Sequence, residues 1–480
     1  MTAKRGMLPS SIAISNGQND IAGRGSVVAT SLQTAPAFED EREHSSFLYF
    51  QQESVQNISG THDSSLWDHL ILQTCRNDVS ARRLLVALGA LTKARKMNQS
   101  PILYRRNTNS SISQSRDIEA YAFRQYGRAL RGLQKDSHGV KGLGQVQARR
   151  TMLISLLIFT FESVSGFQDC AINQMNAALR LTDTQFASET RRYKHLGTAT
   201  SSQTLEQDLL SALVRIDQAL MSRGTRTMID EVPDFENVES VIRPPTRQLS
   251  VNLGQTVLQI PERFENVMDG RKTIEYIQFW ALPQIISKFF IGSEERKKGV
   301  DAHTKKVCEA VLSQLRDFQK AFQPLLDNVS HYKKGSRQYN ALLIPRLQSL
   351  SFGLATKQIL YRGQEYDPTG MQRDAAEMIT ICETIVSDPN LYRGFVFECE
   401  FLPPLFVIST SVVGTEYRFK ALDLLKRSIP RQESGWDTVT MVRVAEDMLA
   451  AEKEHRTLLQ RYEDANRLFH TAESITFLEK

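Results

Sequence analysis

His62, Asp63, Asp68 and His69 lie close together in the chain, and imidazole nitrogens beside carboxylate oxygens are the ligand types that zinc and related ions take. Their placement argues against a site. Ser64 or Ser65 caps a helix with Leu66, Trp67, Leu70 and Ile71 on one face, so His62 precedes the helix while His69 lies within it. The two imidazoles do not share a face and no HExxH pair is present. The expectation is a set of solvated polar groups and no metal.

Other chemistries fare similarly. The five cysteines, Cys75, Cys170, Cys308, Cys382 and Cys399, are too widely spaced for a zinc knuckle or a CxxC redox pair, and read as free buried thiols. No GxSxG elbow exposes a serine on a strand-to-helix turn. Gly139, Gly142 and Gly144 in HGVKGLGQ precede a helix and would suit an anion at its N-terminus. Walker spacing and a preceding strand are both missing, so the run reads as a connection. Asp374 and Glu377 lie one helical turn apart without the clustered aspartates that hold magnesium and diphosphate, and read as a solvated face. The pairs Arg82–Arg83, Arg105–Arg106, Arg149–Arg150, Arg191–Arg192 and Lys297–Lys298 are scattered, so each reads as solvated surface rather than a phosphate track. No catalytic, cofactor-binding or metal-binding residue is assigned, and the chain is expected not to be an enzyme.

The elements that carry these residues are helical throughout. Asp78 caps a helix in which Ala81, Leu84, Leu85, Leu88 and Leu91 recur at steps of three and four. Another helix runs over 118–133, after a Ser-, Asn- and Arg-rich loop at 101–117. The segment 145–161 contains MLISLLIF, apolar all round, which predicts a helix surrounded by others, with a buried strand as the competing reading. Gly166 separates it from a partner helix carrying Ala171, Ile172, Met175, Ala178 and Leu179. A loop at 182–202 and a helix at 205–221 follow. Pro233, Pro244, Pro245 and Pro261 make 224–261 the longest non-helical passage and the best internal boundary. Helices are then expected at 262–290, 305–326, 341–361, 372–385, 400–411, 416–426 and 438–468. No stretch alternates polar and apolar long enough for a sheet strand. The fold class is all-α, a large domain of antiparallel helices.

Composition agrees with this organisation. Residues 1–43 are rich in Ser, Gly, Asn, Gln and Ala without periodicity, and read as a disordered tail ahead of a helical domain at 44–480. The acidic run Glu39, Asp40, Glu41 and Glu43 ends that tail or starts a first helix. Apolar residues at 41% and charged residues at 24% are ordinary for a soluble domain. The net charge of +5 is too mild to predict nucleic-acid binding by itself. No apolar run approaches the ~18 to 20 residues that a bilayer span requires, and no secretory signal is visible.

Several phrases, taken in order, resemble the fungal-specific transcription factor domain, the helical region downstream of the zinc cluster in many fungal regulators. Phe47–Ser59 followed by LWDHLILQTC and ARRLLVALGAL is similar to the family's opening, and YAFRQYGRALRGL (121–133) to its next helix. In 152–181 an apolar helix ends at Phe161 and Glu162 and turns at Gly166. In 401–449 Pro403 and Pro404, Leu424 and Leu425, Pro430 and Arg431, Gly435 and Trp436, and Val444 and Ala445 follow the family's order. The resemblance covers about 45–455 and lacks the six-cysteine cluster. Packing is the ordinary physical role of these side chains: Glu162 is expected to bond backbone amides at the next helix start and Trp436 to anchor the last helix.

What the resemblance implies is a transcription regulator in the nucleus, without its own zinc-cluster module and controlling a metabolic or secondary-metabolite gene set. Its expected partners are the transcription machinery or a DNA-binding regulator, with a small-molecule effector and a homo- or heterodimer as further expectations and no membrane. Direct DNA contact is not expected. The last helix carries an intermittent stripe of Leu449, Leu458, Leu459, Tyr462 and Leu468, read as core ahead of a partner face. The alternative is an all-α biosynthetic-pathway protein or enzyme without a recognisable catalytic motif.

Overall fold

In a computed structural model the chain is described at residues 38–61, 66–99, 108–137, 145–179, 260–289, 299–362 and 367–453, and at scattered positions from 209 to 219. Residues 1–37, the loop at 182–202, most of 224–261 and everything after Lys453 lie outside the described residues. Thus the expected tail, the internal boundary and the stripe beyond Leu449 are not described, while Leu449 itself is buried.

Of the two readings of the acidic run, the structure shows the start of a helix. Asp40 caps a helix, α1 (Glu41–Tyr49), by accepting the Glu43 amide at 2.7 Å, so the acidic run opens a helix and favours its positive end. A π-helical turn at Phe50–Ser54 leads into α2 (Val55–Ile58), and a second at Leu66–Leu70 into α3 (Ile71–Asn77). Asp78 caps α4 (Val79–Gln99) through the Ala81 amide at 2.9 Å, as its sequence position predicts.

Helix α5 (Thr108–Ser137) starts ten residues before the expected helix, inside the predicted loop. Ser and Asn are poor helix formers, but Ser115 is buried and donates to the Ala94 carbonyl at 3.3 Å, so packing on α4 overrides propensity. Helix α6 (Gln145–Ser165) is buried through MLISLLIF, which excludes the strand reading, and a helix at 168–179, α7, follows. Then come α8 (Val267–Phe289), α9 (Ala302–Asp327), α10 (Arg337–Leu360), α11 (Thr369–Val386), α12 (Leu402–Ser409), α13 (Thr415–Ser428) and α14 (Thr438–Lys453). Asp301 and Ser336 cap α9 and α10 with their side chains.

The all-α expectation holds apart from one feature too short to show in a periodicity. Three strands of two residues, β1 (Phe395–Val396), β2 (Gln432–Glu433) and β3 (Trp436–Asp437), form a small sheet in that order. β1 and β2 are parallel, while β2 and β3 form a tight hairpin with Ser434 at φ 51. Three apolar cores result. The first joins α1–α7 with Phe395 and Phe397. The second joins α10–α14 with Phe401 and Leu402, and the third joins α8, α9 and part of α10.

Gly89 shows how closely the first core is drawn together. It lies mid-helix in α4, where glycine costs about 1 kcal/mol relative to alanine. A Cβ there would meet the Ser46 carbonyl oxygen of α1 at 2.0 Å, so only glycine lets the two backbones cross at this distance. Gly353 in α10 is different, since a Cβ there would meet Leu315 at 3.6 Å, an ordinary contact. Gly89→Ala is therefore expected to lose about 3 kcal/mol or more, and Gly353→Ala to be neutral or stabilising by up to about 1 kcal/mol. Urea unfolding of both variants checks the contrast.

Candidate functional site: a buried ionic seam between the cores

The segment from Phe395 to Phe401 passes from the first core to the second, and its side chains divide accordingly. Phe397 lies edge-on to Trp67, with ring centroids 5.2 Å apart, and its amide donates to the Ile58 carbonyl at 2.8 Å. Phe401 belongs to the second core. Between them Glu398 and Glu400 are buried, and each meets arginine.

Arg431 is the centre of the seam, at 2% side-chain exposure. Its Nε donates to Glu433 Oε1 at 2.8 Å, one terminal nitrogen donates to the Tyr392 carbonyl at 2.6 Å, and the other donates to Glu400 Oε2. The guanidinium also lies over the Phe401 ring, 4.7 Å from its centroid. Glu433 is fully buried and faces the start of α12. Its Oε2 accepts the amides of Glu400 at 2.7 Å and Leu402 at 3.0 Å, and its Oε1 accepts that of Phe401 at 3.4 Å. A carboxylate from another part of the chain thus caps this helix, where free amides and the helix dipole favour negative charge. Burial pushes the Glu433 carboxyl up and Arg431 pulls it down.

Glu400 reaches the first core. Its Oε1 accepts the Thr61 amide at 2.6 Å. Gly60, at φ 64, is required beside it, since a Cβ there would lie 2.5 Å from that oxygen. Glu398 serves α8: its Oε2 lies 2.8 Å from Arg215 Nε and 3.0 Å from Arg271, which also pairs with Glu275 at 2.6 Å. Arg337 at the start of α10 donates to Ser59 Oγ at 3.1 Å. Thr438 closes the hairpin by donating its amide and its hydroxyl to the Arg431 carbonyl. In this arrangement the seam's carboxylates are taken up by N–H donors. It is built to hold segments together, because buried charges persist only when paired and hydrogen-bonded.

The sequence signalled parts of this seam and missed others. Pro430–Arg431 and Gly435–Trp436 were singled out by resemblance, and Trp436 is buried against Phe406 at 5.5 Å as expected. Glu398, Glu400 and Glu433 were missed. The available signal was three acidic residues within mostly apolar surroundings, FVFECEF and the RQES turn, where a charge without partners would be costly.

The other candidates fall as follows. His69 is exposed in the π-helical turn, while His62, Asp63 and the Asp68 side chain lie outside the described residues, as do Gly139, Gly142 and Gly144. No group of three metal-ligating side chains occurs among the described residues, and no described helix is long and apolar enough to cross a membrane. Asp374 and Glu377 are partly exposed, but both are paired rather than only solvated. Asp374 pairs with Lys357 and Glu377 takes a two-pronged contact from Arg346 at 2.6 and 2.9 Å, so both tie α11 to α10. All five cysteines are free, but Cys170 is exposed rather than buried, since it lies on the outer side of α7. Burial pushes the thiol of Cys308 up to about 11, mainly by removing it from water.

Glu162 is also corrected. The turn after α6 is closed by backbone alone: Phe167 donates to the Glu162 carbonyl and Gly166, at φ 89, to the Ser163 carbonyl. The Glu162 side chain instead accepts the Tyr126 hydroxyl at 2.7 Å, while Tyr126 stacks on Phe161 with centroids 4.2 Å apart. Its second oxygen is buried without a partner.

No family model, curated protein or solved structure matches this chain.

Glu162 gives the α6–α7 corner a pH signature. Desolvation raises its carboxyl above the ordinary glutamate range, and the Tyr126 hydrogen bond opposes this only in part. A raised carboxyl contributes stability fully below its unfolded value and loses that contribution as pH rises through the folded one. Glu162→Gln keeps an acceptor for Tyr126 and removes the charge. The variant is expected to match the parent at about pH 4 and to exceed its melting temperature at pH 8. Thermal melts at the two pH values test this, and a variant less stable at pH 8 contradicts it.

Proposed function

We propose that this chain is a transcription-regulatory protein of the fungal type, acting in the nucleus on a metabolic gene set, with base-specific DNA recognition supplied by a partner regulator. The observation that carries the reading is where the resembling phrases sit. Gly89 of the Ala-Leu-Gly-Ala-Leu phrase sets the α1–α4 crossing, and Glu162 and Gly166 form the α6–α7 corner. Pro430–Trp436 contains the Arg431 and Glu433 that bind the start of α12. These are the joints of the fold, which a shared helical architecture must keep while its surfaces vary. A small-molecule effector and dimer formation belong to the same reading and rest on the resemblance alone.

The test is deletion of the gene in its native host, with transcripts and metabolites compared to the parent under several growth conditions. A coordinated rise or fall in a set of functionally linked transcripts is expected. Unchanged transcripts with one metabolite missing would overturn the reading and favour a pathway protein or enzyme on this scaffold.

A further inference from the structure

The arginine pairs at 82–83 and 149–150 are far apart in sequence and meet in the fold. Helices α4 and α5 run antiparallel, since Ser115 bonds Ala94 while Gly132 lies against Ser80: a Cβ at Gly132 would be 2.7 Å from the Ser80 hydroxyl. The start of α4 therefore adjoins the end of α5. The start of α6 joins them through Arg150, which bridges Asp78 ahead of α4 and Asp136 near the end of α5, the latter at 2.7 Å. Glu39 bridges Arg83 of α4, at 2.5 Å, and Arg128 of α5, at 3.1 Å.

Around these links the charge is one-sided. Arg131 and Lys135 continue from Arg128 along one face of α5 at steps of three and four, and all three are exposed. Arg82 sits in the first turn of α4, where it donates to the Cys75 carbonyl at 3.2 Å, and Arg149 precedes Arg150 in α6. Among the described residues seven cations at this end thus stand beside three carboxylates, Glu39, Asp78 and Asp136. The acidic start of α1, with Asp40 and Glu41, bounds the patch beyond Glu39.

We propose that this end of the first core is a docking surface for the phosphate backbone of duplex DNA. Six of the seven cations are arginine, whose planar fork matches phosphate. From Arg128 to Lys135 the row on α5 is about 10 Å long. One strand of a duplex presents a charge per roughly 3.4 Å of axis, so the row spans about three phosphates held at fixed spacing on a stiff rod, and Arg82, Arg83, Arg149 and Arg150 lie beside it. The contact reads no bases. It goes beyond the regulatory reading, adding a weak charge-driven hold on DNA to the base recognition of a partner, and it rests on charge placement rather than on that reading. Val79 and Val146 are exposed at the same end, at 47% and 84%, and basic charge beside apolar side chains also suits an anionic membrane. Among the described residues these two valines have no larger exposed apolar or aromatic neighbour at this end and so offer little area to insert, which favours the duplex.

The test is fluorescence anisotropy of a labelled random-sequence duplex with the full chain at 50 and 200 mM salt. Micromolar binding is expected at the lower salt, with a log–log salt slope of about −3 to −4, the value for roughly four phosphate contacts. The double variant Arg131→Glu, Lys135→Glu is expected to lose at least tenfold in affinity. Lys305→Glu, Lys306→Glu, an equal charge change at exposed positions on α9, is expected to lose less than threefold. Melting curves show that both variants fold. Absence of duplex binding at 50 mM salt overturns the proposal, as does an equal loss in both variants. Binding to phosphatidylserine vesicles or a polyglutamate peptide with no affinity for the duplex also overturns it.

Discussion

A guanidinium buried between two carboxylates survives in a protein only if nearly every donor and acceptor finds a partner, and Arg431 meets that condition by reaching three separate segments. It holds Glu433 on its own hairpin, Glu400 between the cores and the Tyr392 carbonyl ahead of β1. Burying the charges is expensive, and replacing such a network wholesale with apolar groups is often neutral. Removing one member is not, because it strands the others away from water at a cost of roughly 3–5 kcal/mol. The network therefore contributes less to raw stability than to fixing one arrangement of the chain.

That arrangement links the cores. Glu433 holds the first amides of α12 in the second core, and Glu400 holds Thr61 at the edge of the first. Between them Glu398 takes Arg271 of α8, whose neighbours on that helix fill the third core. Three apolar clusters are thus connected through seven residues, Phe395 to Phe401, with aromatic rings facing the cores at both ends and the carboxylates of Glu398 and Glu400 facing arginines between them.

Much of the helical frame was legible in the sequence because burial at steps of three and four leaves a repeating mark, as in Ala81 to Leu91 and in the all-apolar run of α6. Asp78 and Gly166 were legible as boundaries because their chemistry is local: one accepts amides three residues on, the other takes a positive φ. The seam was not. Glu400 and Arg431 meet across the fold, and no periodicity records a pairing of that kind. The two-residue strands were equally silent, since alternation needs more residues than they have. Resemblance pointed at Arg431 and Trp436 without saying what they hold, and the local capping reading misplaced the partner of Glu162, whose bond to Tyr126 links different helices. The basic end of the first core was invisible for the same reason, its arginine pairs being distant until α4, α5 and α6 assemble.

Amide hydrogen exchange on Arg431→Met tests most directly whether this seam couples the cores. The account predicts that the amides of Glu400 and Leu402, bonded to Glu433, and that of Phe397, bonded to Ile58, lose protection together, with faster exchange in the helices of both the first and second cores. Loss confined to the hairpin and the start of α12, with the Phe397 amide and the first core as protected as in the parent, would contradict it.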